Sequence, residues 1–201
     1  MNSKLLACLT GILILLSPSL LWADKSMDEI RGVVTKAIQI LKEPGMKSND
    51  QRKEIVGRLE KIVDPVFDFR EMAKRSLGIH WRDLTPQERQ EFVPLFKDFL
   101  NKIYVGKLGL YNGGKVLFTG ETVGTNYAEV DTQVGARNGD QVPVVYMLKR
   151  MGGDWKVYDV VVDNVSIDNN YRSQFDRVIS SSSYQELVKR IKQRVRHELM
   201  G

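Results

Sequence analysis

The chain holds two histidines, His80 and His197, and one cysteine, Cys8. His80 lies in "GIHWRD" beside Trp81, the setting of a packed imidazole, and His197 lies in a basic tail. Asp159 and Asp163 flank three successive valines and stand close enough in sequence to act as paired carboxylates. No nucleophile or partner acid accompanies them. Asp159 therefore reads as a structural carboxylate that caps a backbone amide or pairs with Arg172, because perturbed carboxylates also arise in structural networks. No nucleophile elbow, zinc-protease helix, phosphate loop or metal-ligand spacing occurs. The sequence argues against an enzyme, and it calls for no metal and no cofactor.

The chemistry-poor chain opens on a targeting pattern. Lys4 supplies the positive start, and Leu5 to Leu16 is an apolar core interrupted only by Thr10 and Gly11. Ser17, Pro18 and Ser19 break it, and Ala23 is a plausible cleavage point, although Leu21 is bulky for the second small position. This is the layout of a secretory signal peptide. The apolar run is short for a membrane span, which takes about 20 residues. "LLAC" superficially resembles a lipoprotein attachment site, but the apolar core lies mostly after Cys8, so lipidation is rejected. The expected division is a signal peptide over 1–23 and one domain over 24–201. Cleavage removes Cys8, so the mature chain has no thiol or disulfide chemistry. It also removes Lys4, the one charge in that stretch, which lowers the net charge from +5 to +4. Export without disulfides suits a bacterial periplasm. There a basic balance favours anionic lipid headgroups or an acidic partner protein over nucleic acid.

Three blocks follow. In the first, Ile30, Val33, Val34, Ala37, Ile38 and Leu41 recur at helical spacing, with Pro44-Gly45 beyond them. Ser48 with Gln51 predicts the cap of a second helix, which Pro65 stops. Asp68 with Glu71 opens a short third helix, closed by Gly78. Thr85, Pro86 and Glu88 open a fourth, whose apolar stripe is Phe92, Leu95, Phe96, Phe99, Leu100, Ile103, Tyr104 and Leu108. Pro94 lies within that stripe and is expected to bend it. In the second block, Ala128, Val130, Thr132 and Val134 alternate with polar residues, and Val142, Val144, Tyr146 and Leu148 alternate likewise. "NGG", "RNGD" and "MGGD" are turn signals, so the block predicts a four-stranded antiparallel meander. Val160 and Val162 share one face of the last strand, and Val161 takes the other. The third block is helical: Asn169 is the expected cap for Tyr171, Phe175, Val178 and Ile179, and a last helix carries Leu187, Ile191 and Val195. Helices around an antiparallel sheet make an α+β fold.

Two stretches carry a family likeness. "FDFREMAKRSLGIHWRDLTPQERQEFVPLFKDFLNKIYVGKL" followed by "WKVYDVVVDNVSIDNNYRSQF" resembles the MlaC, or toluene-tolerance, family. The likeness covers nearly all of the mature chain. Pro94 and the serine run Ser180 to Ser183 depart from the family pattern. The resemblance implies a twisted sheet wrapped by N- and C-terminal helices, cystatin-like or nuclear-transport-factor-like, enclosing an apolar pocket. It implies a periplasmic phospholipid carrier working between an outer-membrane lipoprotein complex and an inner-membrane ABC transporter, maintaining outer-membrane lipid asymmetry. A monomer is expected.

The candidate lipid-binding residues are Phe69, Met72, Leu77, Phe96, Leu100, Tyr104 and Leu108 in the first block. Val130, Val142, Val144, Tyr146, Val160, Val162 and Val165 follow, then Tyr171 and Phe175 in the last helices. For each of these the competing reading is ordinary core, since buried apolar side chains mostly just pack. Competing functions are a carrier of another amphiphile such as a hopanoid, a protein adaptor with a filled core, and an enzyme of the nuclear-transport-factor-like group.

Overall fold

The computed structural model describes residues 20–42, 49–105, 115–135 and 139–197. Helix α1 spans Leu20–Lys42, α2 Asn49–Val63, α3 Phe69–Leu77 and α4 Pro86–Leu100. A 3-10 turn, Gly78–Arg82, joins α3 to α4, and a π-helical turn, Asn101–Val105, extends α4. Strands β1 (Val116–Val123), β2 (Tyr127–Gly135), β3 (Gln141–Met151), β4 (Asp154–Val162) and β5 (Val165–Ser166) form one sheet in sequence order. Helices α5 (Ile167–Ser181) and α6 (Tyr184–His197) follow.

Local signals set several boundaries. Asp68 accepts from the Glu71 amide at the start of α3. Thr85 and Glu88 make the reciprocal capping box of α4, with Pro86 just inside. That arrangement satisfies two amides the helix cannot. Gly152 and Gly153, at φ 59° and 102°, make the tight turn between β3 and β4. The predicted Ser48 cap, the "NGG" turn and most of the expected signal peptide lie outside the described residues. Helix α1 begins at Leu20, so cleavage after Ala23 would fall in its first turn. Among the described residues, no helix is long and apolar enough to cross a membrane.

Two expectations need correction. Among the described residues the sheet has five strands, not four. Asp163 and Asn164 take positive φ, 49° and 63°, and fold β5 back onto β4, pairing Val162 with Val165 and Val161 with Ser166. Asx residues tolerate this backbone better than most, which is why a two-residue reversal forms here. The second correction concerns the cap of α5. It is Ser166, whose hydroxyl accepts from the Asn169 amide at 3.0 Å, so Asn169 lies inside the helix.

The core divides into clusters. In the helical cluster, Met72, Leu77, Phe92, Phe96, Phe99, Leu100, Tyr171 and Phe175 pack together from α3, α4 and α5, joined by Leu187 and Ile191 of α6. In the sheet cluster, Ile30 of α1 covers Ala128, Val130, Leu148, Trp155, Val157 and Val160. Phe67 and Ile167 pack against both clusters and join them. A third, smaller cluster zips α1 to α2 through Ile40, Leu41, Ile55 and Leu59.

Candidate ligand-binding site

The register puts Val130, Tyr146 and Val160 side by side, and likewise Thr132, Val144 and Val162. Opposed residues of antiparallel strands point to the same face, so these six form a continuous strip across three strands. A bulge keeps the strip in phase: Tyr158 is the extra residue opposite Met147, so Val157 and Val160 stay on one face. Val161 points the other way, beside Val145. At one end α1 seals the strip, with Met27, Ile30 and Val34 against Val130, Leu148 and Val157. Glu121, on the same face of β1, ties α1 down by accepting from the Ser26 hydroxyl and from the Met27 amide at 2.9 Å. Toward the other end Val142, Val144, Tyr146 and Val162 remain only half-buried.

The polar atoms in this strip are few. The Thr132 hydroxyl donates to the Val144 carbonyl at 2.8 Å and is fully engaged. Among the described residues, the Tyr146 hydroxyl has no hydrogen-bond partner. Burial pushes its pKa up to about 12. Yet the residue keeps accessible surface. At neutral pH the phenol stays protonated and offers one donor amid branched hydrocarbon. Apolar surface with a single polar donor is the chemical make-up of many small-molecule sites.

The remaining candidates sit elsewhere. Met72, Leu77, Phe96, Leu100, Tyr171 and Phe175 are in the helical cluster, not on the strip. Phe96 is fully buried, with ring centroids of Phe92, Phe99, Tyr171 and Phe175 all within 6.3 Å. Tyr171 is pushed well above the ordinary phenol pKa by burial and by a hydrogen bond with Tyr104. Phe69 is half-buried and stacks on Phe67 at 5.8 Å, beside the junction of the two clusters. Val165 is 55% exposed on the short β5. Leu108 lies outside the described residues.

Asp159 behaves as a structural carboxylate. Its Oδ1 accepts from the amides of Val160 at 2.8 Å and Asp168 at 3.1 Å, and its Oδ2 accepts from the Ser166 hydroxyl at 2.5 Å. It therefore fastens α5 to β4 through a backbone amide, not through Arg172. The acid beside it carries no sequence signal. Asp168 is 3% exposed and neither carboxyl oxygen finds a partner among the described residues. Burial, then the nearby Asp159 charge, pushes its pKa up to about 9, against the pull of Arg75 and Arg172. A protonated acid is thus held at the foot of α5. Among the described residues no acidic, histidine or cysteine cluster is arranged to hold a metal ion.

This arrangement of helices and meander matches known proteins. The family profile of the MlaC protein fits residues 31–193. The chain is 30% identical over 170 residues to the toluene tolerance protein ttg2D of Pseudomonas putida, covering 82% of this chain and 79% of that one. It is 21% identical over 134 residues to the intermembrane phospholipid transport system binding protein MlaC of Haemophilus influenzae, covering 64% of this chain and 63% of that one. The solved structure of a phospholipid-binding protein from Ralstonia solanacearum, in complex with a phospholipid, shares the fold. Its TM-score is 0.75 at 23% identity, over 87% of this chain and 98% of that one. With a family match spanning most of its length and a relative 30% identical over 82% of it, the chain belongs to the MlaC family.

Proposed function

We propose that this protein is a periplasmic carrier that buries phospholipid acyl chains against the β2–β3–β4 strip and moves the lipid between outer-membrane and inner-membrane complexes. The observation that carries the reading is the half-buried strip of Val142, Val144 and Val162 around the unpartnered Tyr146 hydroxyl. Membership of the MlaC family and the lipid-binding names of its relatives support it. The energetics give such a carrier its purpose. Each exposed CH2 costs about 0.8 kcal/mol in water, so two acyl chains cost on the order of 20 kcal/mol outside a membrane. A soluble vehicle needs apolar surface for the chains and an exit for the headgroup. It needs no catalytic group.

Native mass spectrometry of protein purified without detergent tests this reading. Adducts that extract as phospholipid are expected. A bare protein that takes up nothing from vesicles would favour a filled-core adaptor. Val144→Glu and Val162→Glu place a charge in the strip, where burial of an unpaired carboxylate is strongly disfavoured. Each is expected to lower bound lipid at least tenfold while the folded yield falls far less. Equal loss of both would make these valines core.

A further inference from the structure

A second concave surface lies away from the strip. It is a groove of about 520 Å3 between the 3-10 turn Gly78–Arg82 and α5. Almost fully buried, Leu77 and Trp81 form its floor, and Lys74, Arg75, Arg82 and Arg172 contribute positive charge. Ile79 also borders it and is 71% exposed.

The groove is firmly built. Gly78 sits at φ 58°, and a Cβ there would come within 3.1 Å of Arg172 Nε, so the glycine gives that side chain its place. Arg172 Nε donates to the Arg75 carbonyl at 3.1 Å, and the residue is exposed. Arg89 donates to the carbonyls of Trp81 and Arg82, both at 3.0 Å, and stacks over the Trp81 ring. His80 and Asp176 are bonded at 2.8 Å across the groove. The turn that presents Ile79 is therefore clamped on both sides.

The charge is unbalanced. Lys74 and Arg75 share Glu71. Among the described residues, neither Arg82 nor Arg172 has a carboxylate within ion-pair distance. Asp176 is the one acid in the lining. Asp168, near Arg75 and Arg172, adds no negative charge at neutral pH because burial keeps it protonated. On α6, Lys189 and Arg190 share Glu186 in the same way.

We propose that this groove docks an acidic, partly apolar segment of a partner protein, with carboxylates over Arg82 and Arg172 and an aliphatic side chain against Ile79. The concavity favours an inserted chain over a flat anionic bilayer. Paired guanidiniums suit carboxylates through bidentate bonds, and an exposed aliphatic side chain beside them adds apolar area. The docking surface stands on the groove alone. Only the partner's role as a donor or acceptor of lipid rests on the carrier reading.

The test uses the mature protein and a fluorescent decapeptide alternating glutamate and leucine, with a glutamine–leucine counterpart. The acidic peptide is expected to bind at least tenfold more tightly than the neutral one, and less tightly as salt rises. Arg82→Glu and Ile79→Ser should each weaken it about tenfold or more while bound phospholipid, read by native mass, stays unchanged. No binding by the wild type, or equal binding by both variants, overturns the proposal. Binding only to vesicles containing phosphatidylglycerol overturns it in favour of a membrane. Peptide binding by a protein that carries no lipid would leave the groove standing and remove the carrier.

Discussion

Phe96→Ala is expected to destabilise the protein by about 3–5 kcal/mol, the usual range for truncating a buried phenylalanine. Phe96 is fully buried and its ring meets four aromatic neighbours, two of them edge-on. Alanine leaves a void in the aromatic cluster that packs α3, α4 and α5 together. Urea denaturation reads the loss directly. The measurement also decides a question of role. If lipid chains reached Phe96, the void would join an existing cavity, and lipid retention would change more than stability. A change in unfolding free energy below about 1 kcal/mol would therefore place Phe96 on a cavity wall and extend the binding site into the helical cluster.

Asp168→Asn is expected to raise stability, and to do so most at alkaline pH. The sign follows from proton linkage. Asp168 has a folded pKa of about 9 against an ordinary value of 3.8. Between these values the unfolded chain has released the proton and the folded chain still holds it. Stability then falls as pH rises, because the native state binds more protons than the unfolded one. The contribution is intact below about pH 4 and is progressively lost toward pH 9. Asparagine is nearly isosteric and has no proton to lose. At pH 8 the gain should be on the order of 2–4 kcal/mol, and near pH 4 close to zero. Arg75, Arg172, Glu71 and Asp159 act on the same carboxyl, so their variants shift the profile without abolishing it. Parallel pH–stability curves for the two proteins would mean that Asp168 is charged in the native state.

Much of this was legible in the sequence, because the signals were local. Thr85, Pro86 and Glu88 specify a helix start without help from elsewhere, and the alternation in β2 and β3 specifies a one-sided face. Asp159 was readable as structural because nothing nearby could make it reactive. The rest depends on packing. Periodicity shows that the α4 stripe is buried but not against what, so Phe96 and Val144 looked like walls of one cavity. They belong to separate clusters, joined at Phe67 and Ile167. Ser166 and Asn169 are equally good caps by residue type, and the short β5 strand decides between them. Asp168 reads as an ordinary acid in a helix first turn, where negative charge is favourable. Only the packing of α5 on α3 and β4 buries it.

The bulge at Tyr158 acts as a frame-keeper. It absorbs one residue, so the strand leaves it in the same in–out frame in which it entered. Three consecutive valines carry no frame information of their own, since the run is apolar whichever face comes first. Asp159 carries it instead, because its carboxylate has somewhere to go only when it points toward α5. Exchanges among valine, isoleucine and leucine at 160–162 therefore leave the message readable. Deleting Tyr158 would remove the bulge and restore plain alternation, leaving Val160 and Val162 on the strip beside Tyr146 and Val144. Deleting Asp159 would keep that frame as well but take away the carboxylate that fastens α5 to β4.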